Sequence, residues 1–170
     1  VVKHLDINRY PLNKVVCNPL STTASVPEAK QGLIGELYTL NSNQPNYSDV
    51  DDFIRYGTKS DRKLFFSKLD IPTRMFNQGF PAETGELLKN DQGQVLMENF
   101  GMELKTDLQL GPNDAPGDYQ LAALGDDGIT VHVVENNLET PIIDIRYVHP
   151  TQLGCANQTL SMQPGSKRSL

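Results

Sequence analysis

Tryptophan is absent from this chain of 170 residues, and cysteine occurs only twice, at Cys17 and Cys155. With no CxxC pair and no Cys/His cluster, the common structural zinc sites are excluded. The three histidines, His4, His132 and His149, are scattered, and neither GxSxG nor HExxH occurs. The usual signatures of a nucleophile elbow and of a zinc protease are therefore missing. No apolar run approaches the roughly 18 residues that a membrane-spanning helix needs. No charged-then-apolar leader opens the chain either, and no membrane insertion is expected. Positive charge is in the minority, with 15 lysines and arginines against 21 aspartates and glutamates, a net charge of −6. That balance argues against nucleic acid or an anionic membrane as the main partner.

What is present suits a folded domain. The length allows one domain with a real core. Hydrophobic residues make up 38% and charged residues 21%, which argues against disorder over the whole length. The chain opens on Val1-Val2, as a processed or excised segment would. The two cysteines lie near opposite ends. One reading is a Cys17–Cys155 disulfide, which would stabilise by roughly 4–5 kcal/mol in the chain-entropy model and implies an oxidising compartment. The other is two unrelated thiols.

Residues 1–31 read as an irregular lead-in, broken by Pro11, Pro19 and Pro27 and carrying the linker-like Ser21-Thr-Thr-Ala-Ser25. A strand is expected over Gly32-Leu-Ile-Gly-Glu-Leu-Tyr-Thr-Leu40. A short helix is expected over residues 49–55, capped from Ser48-Asp-Val-Asp51, with Val50, Phe53 and Ile54 on one face. Residues 63–67 read as a strand, 70–81 as an ordered loop and Asn90-Asp-Gln-Gly93 as a turn. The cleanest periodicity follows. Phe100, Met102, Leu104, Thr106, Leu108 and Leu110 fall on one side, which predicts one half-buried antiparallel strand. Gly111-Pro-Asn-Asp-Ala-Pro-Gly117 and Glu135-Asn-Asn137 read as turns, and residues 118–124, 129–134 and 141–148 as strands. Many short strands with turn signals between them and little helix point to an all-β antiparallel sandwich or barrel with long loops.

One stretch carries a chemical question. Asp126 and Asp127 sit between two strand-like runs, in Tyr119-Gln-Leu-Ala-Ala-Leu-Gly-Asp-Asp-Gly128 followed by Ile129-Thr-Val-His-Val133. Neighbouring side chains on a regular strand point to opposite faces. Two adjacent carboxylates converge only where the backbone leaves that regularity, and their repulsion then calls for a cation. The pair is a candidate calcium site, with Gly128 expected to supply the backbone freedom to leave it. A turn without metal is the bland alternative. Asn113 and Asp114 lie in a preceding turn, from which they could approach the cation, though turn formation itself is the bland explanation. His132, between Val131 and Val133, should face away from whatever those valines bury, as a surface or hydrogen-bonded histidine and not a catalytic base. Glu83, Glu86 and Glu103 cannot be paired as acid and base from sequence, and no enzyme is expected. Asn46-Tyr-Ser48 and Asn157-Gln-Thr159 match the glycosylation sequon.

These residues together resemble the protective-antigen fourteen-kilodalton domain family, a β-sandwich module of toxins, glycosidases and lectin-like adhesins. Gly32-Leu-Ile-Gly-Glu-Leu-Tyr38 is similar to its opening strand. The alternation over 100–110 and the following Gly/Pro turn are similar to its middle. Gly117-Asp-Tyr119-Gln-Leu121 with Gly125-Asp-Asp-Gly128 is similar to its signature. Coverage runs from 32 to 170, with 1–31 outside. The resemblance implies a secreted or cell-surface module that binds a glycan through calcium held by Asp126 and Asp127 across a cis peptide, which would bring both carboxylates to one side. The loop after Val134, with Asn136 and Asn137, would help shape the sugar site. The family continues past a turn like the one in Met162-Gln-Pro-Gly-Ser-Lys-Arg-Ser-Leu170, so the last strand or strands are expected to be missing or supplied by another segment or chain. The alternative is a non-catalytic structural or protein-interaction module.

Overall fold

A computed structural model describes residues 32–40, 49–66, 68–71, 75–81 and 85–170. The lead-in 1–31, Cys17, His4, Ser48, Glu83 and the sequon at Asn46 lie outside the described residues. The architecture is all-β and antiparallel, as the turn-punctuated pattern predicts. Its elements are β1 (Leu33–Thr39), α1 (Val50–Tyr56), β2 (Thr58–Phe66), a 3₁₀ turn (Phe76–Gln78), β3 (Phe100–Lys105), β4 (Asp107–Gln109), β5 (Gly117–Tyr119), β6 (Ala122–Gly125), β7 (Ile129–Glu135), β8 (Leu138–Ile145), β9 (Gln152–Cys155), β10 (Leu160–Met162) and β11 (Lys167–Ser169). Among the described residues no helix is long and apolar enough to cross a membrane. The described residues fall into two compact units that meet in the chain between Thr106 and Asp107.

The first unit is built on the antiparallel sheet β2-β1-β3. Alternation sorts its side chains. Leu37, Leu64, Phe66 and Leu96 are buried, with Phe100, Met102 and Leu104 packed against them. Glu36 faces the other way and takes Lys59 and Lys63 as ion partners, and Lys63 holds its carboxyl below the ordinary range. α1 begins one residue later than expected. Its N-cap is Asp49, whose carboxylate accepts from the Asp51 N–H at 2.9 Å. Phe53 lies over Gly101, where a Cβ would meet the Phe53 Cβ at 2.7 Å. The expected turn at 90–93 forms, with Asn90 Oδ1 accepting from the Gln92 and Gln94 N–H groups.

The second unit holds the sheets β4-β11-β7-β8, β10-β5 and β6-β9. Leu110, Val133, Ile142, Ile143, Leu160 and Met162 form its buried core. Ile142 and Ile143 are adjacent yet both buried because the β7–β8 ladder skips a residue, stepping from Val131↔Ile143 to His132↔Pro141. Such a bulge turns two consecutive residues inward. The carbonyl it leaves at Ile142 accepts from the Asn157 N–H at 2.8 Å. Pro141, with no N–H to give a ladder, sits on the edge strand β8.

Four strand expectations change. The strand over 63–67 begins earlier, at Thr58, as β2. The single strand over 100–110 is two, β3 and β4, in different sheets. The strand over 118–124 is also two. β5 pairs with β10 and β6 with β9, and between them Leu121 O accepts from the Ala156 N–H at 2.8 Å while Gln120 Nε2 donates to Ala156 O at 2.7 Å. The strand over 141–148 begins earlier, at Leu138, and stops at Ile145.

Candidate functional site

Asp126 and Asp127 lie in a corner, not in a hairpin. The strand before them, β6, pairs with β9, and the strand after them, β7, pairs with β8. The segment Gly125-Asp126-Asp127-Gly128 therefore carries the chain from one sheet to another. This is where the sequence argument requires the regular strand to break. The peptide bond joining the two aspartates is cis, the geometry that the resemblance implies at this pair. Both aspartates are exposed.

The ladders also fix what lies beside the corner. Gly125 pairs with Gln152 and Ile129 with Ile145. Residues 146–151, which join β8 to β9, are thereby anchored at both ends of the aspartate corner. Thr151 Oγ1 donates to Asp126 Oδ2 at 2.7 Å. At the other end Gly128 packs on the backbone of Arg146, where a Cβ would lie 2.3 Å from the carbonyl oxygen. Gly128 is thus needed for close approach, and not for a left-handed φ, which it does not adopt. The joining loop is held by His149, whose Nδ1 and Nε2 face the carbonyl oxygens of Pro150 and Ile145 at 2.7 and 3.1 Å. It presents Tyr147 and Val148 to solvent, 63% and 70% exposed. Arg146 clamps Asp144 with two hydrogen bonds, of 2.6 and 2.9 Å, and holds that carboxyl below the ordinary range.

Among the described residues, neither Asp126 nor Asp127 has a cationic partner. The donor chemistry fits a hard cation, being all oxygen with two uncompensated carboxylates. Among the described residues no three His, Cys, Asp or Glu side chains gather to hold a metal. Two carboxylates fall short of the six to eight oxygens calcium takes, so waters or ligand hydroxyls would have to supply the rest.

Asn136 and Asn137 are not brought to this corner. They form the two-residue turn between β7 and β8, closed by the Glu135↔Leu138 pair, with φ of 52° and 63°. Those left-handed values are the ones a two-residue primed hairpin demands, and asparagine tolerates them. The turn sits at the opposite end of the seven-residue β7, roughly 20 Å away at about 3.3 Å per residue. Asp114 is a turn former, its carboxylate accepting from the Gly111 N–H at 2.8 Å. His132 lies opposite the bulge with Nδ1 3.7 Å from Glu139 Oε2, and that nitrogen is buried with no hydrogen-bond partner among the described residues. Cys155 ends β9, while its expected partner Cys17 is outside the described residues.

Sequence reasoning reaches the aspartates and misses Thr151, Arg146 and Tyr147, because only the long-range ladders bring residues 146–151 to the corner. Fold and site together define the class: an all-β antiparallel protein with an exposed aspartate pair where the chain changes sheets. No family model, curated protein or solved structure matches the chain.

Proposed function

We propose that the aspartate corner is a calcium-dependent glycan-binding site in a non-catalytic module of a secreted or cell-surface adhesin. The observation that carries this reading is the exposed pair Asp126–Asp127, without a cationic partner among the described residues. Bound calcium would supply a hard Lewis acid with open positions for vicinal sugar hydroxyls. The chain's own part is to hold two carboxylates at a corner braced by Thr151 and Arg146. The neighbouring loop offers Tyr147, whose apolar ring face suits the C–H face of a sugar. A Cys17–Cys155 disulfide belongs to the same reading of an oxidising compartment.

A second reading is a structural or protein-interaction module without sugar binding. The Thr151–Asp126 hydrogen bond favours it, because it gives one aspartate a purely structural task. Calorimetric titration separates the two. The wild-type chain should bind calcium with a one-to-one isotherm, and Asp127→Asn should weaken that binding at least tenfold. A glycan array should then light up in calcium and go dark in chelator. Absence of calcium binding at millimolar concentration would sink the lectin reading. Calcium binding with a blank array would favour the second.

A further inference from the structure

We propose that Asp127 is the chain's site of isoaspartate formation, and that a cation held at the corner keeps it from reacting. The second half rests on the calcium reading; the first does not. In this reaction the backbone nitrogen of the next residue must reach the aspartate's own Cγ. A side chain on that next residue obstructs the approach, and glycine has none. Asp127-Gly128 is the only Asp-Gly or Asn-Gly pair among the 170 residues. The fold adds two further conditions. Asp127 lies in an exposed bend, and Gly128 comes before the first β7 pair, Ile129↔Ile145. The Asp127 carboxyl also makes no hydrogen bond within the described residues. Asp107, Asp114, Asp126 and Asp144 each accept one, and each is followed by a residue with a Cβ.

The chemistry needs only water. The Gly128 nitrogen attacks Asp127 Cγ and an N–C bond forms. The amide proton and a carboxyl hydroxyl leave together as water, giving a five-membered imide. Water then opens the ring. Addition at Cγ restores aspartate. Addition at the Asp127 carbonyl carbon routes the main chain through Cβ and leaves the carboxylate on Cα. One water is lost and one gained, so the mass is unchanged and nothing is oxidised or reduced. The isomer alters two things on which the corner depends. It adds a carbon to the main chain just before Gly128, which packs on the backbone of Arg146. It also shortens the stem that carries one carboxylate of the pair. Calcium opposes the first step, because a carboxylate oxygen bound to a cation is not free to leave as water. Isomerisation thus retires the corner slowly whenever its cation is missing.

The test ages the full 170-residue chain at neutral pH and body temperature, with millimolar calcium in one arm and chelator in the other. Peptide mapping with electron-transfer fragmentation reads each aspartate, since it separates the two isomers at equal mass. In chelator, isoaspartate at position 127 should exceed that at every other aspartate at least tenfold. Asp127→Glu, whose longer side chain would have to close a six-membered ring, should show no isomer there. Calcium should slow the reaction at least fivefold in the folded chain and leave it unchanged in urea. Isoaspartate at 127 no more frequent than elsewhere in chelator would overturn the proposal. Equal formation in both arms, by a chain whose calorimetric titration shows calcium binding, would overturn the protective role alone, placing the bound ion away from Asp127. Equal formation by a chain that binds no calcium would overturn that role and the calcium reading together, with the isomerisation site still standing.

Discussion

At position 128 a Cβ would lie 2.3 Å from the carbonyl oxygen of Arg146 and 2.7 Å from its carbonyl carbon. Both are backbone atoms anchored by β8, so neither can swing aside as a side-chain tip could. Asp127, one residue earlier, is exposed and makes no side-chain hydrogen bond within the described residues. The two positions should thus respond to different degrees. Gly128→Ala should lower stability by about 1–3 kcal/mol in calcium-free chemical denaturation, the usual cost of forcing an extra carbon into a packed place. Asp127→Asn, under the same conditions, should change it by no more than about 0.5 kcal/mol. If Gly128→Ala is as stable as the parent, the close approach of the corner to the 146–151 loop is not what glycine serves there.

Among the elements, turns and faces are legible in the sequence while partners are not. Asn90-Asp-Gln-Gly93 and Glu135-Asn-Asn137 announce themselves through residues that tolerate left-handed φ, and both form turns. The alternation over 100–110 correctly marks Phe100, Met102, Leu104, Leu108 and Leu110 as core-facing, but the structure divides them between two cores. It keeps its phase through Thr106, however, so nothing in it marks the end of β3 and the start of β4 in a different sheet. Period reports which face is buried, not what it is buried against. The aspartate pair follows the same pattern. Its break from strand geometry is local and readable, whereas Thr151 and Arg146 arrive through register with β9 and β8. The β7–β8 turn offers a clean test of which end of the element matters. Asn137 has φ 63°, a conformation glycine adopts freely. Asn137→Gly should keep stability within about 0.5 kcal/mol and, on the proposed lectin reading, leave glycan affinity within twofold. A tenfold loss of glycan binding with stability intact would restore the turn amide to the binding site.

For the molecule as a whole, a net charge of −6 complicates any calcium effect. Divalent cations relieve the self-repulsion of an acidic protein wherever they gather, so a rise in melting temperature with calcium does not by itself reveal a site. A ligand that binds only the folded state adds about 2.7 kcal/mol of stability at a hundred times its dissociation constant. For a chain of this length, that corresponds to a shift of roughly 5–10 °C in melting temperature. Diffuse screening depends on cation charge, so magnesium should reproduce it, and removing one carboxylate of 21 acidic side chains should barely alter it. A corner site depends on ion size and on both aspartates, because calcium accepts crowded, irregular oxygen ligands where magnesium holds its waters. The expected result is a calcium shift of that size in the parent chain, a magnesium shift below 2 °C, and no calcium shift beyond the magnesium one in Asp126→Asn or Asp127→Asn. Equal shifts from calcium and magnesium, unchanged by either substitution, would assign the whole effect to surface charge and leave the aspartate pair a corner of the fold without a metal.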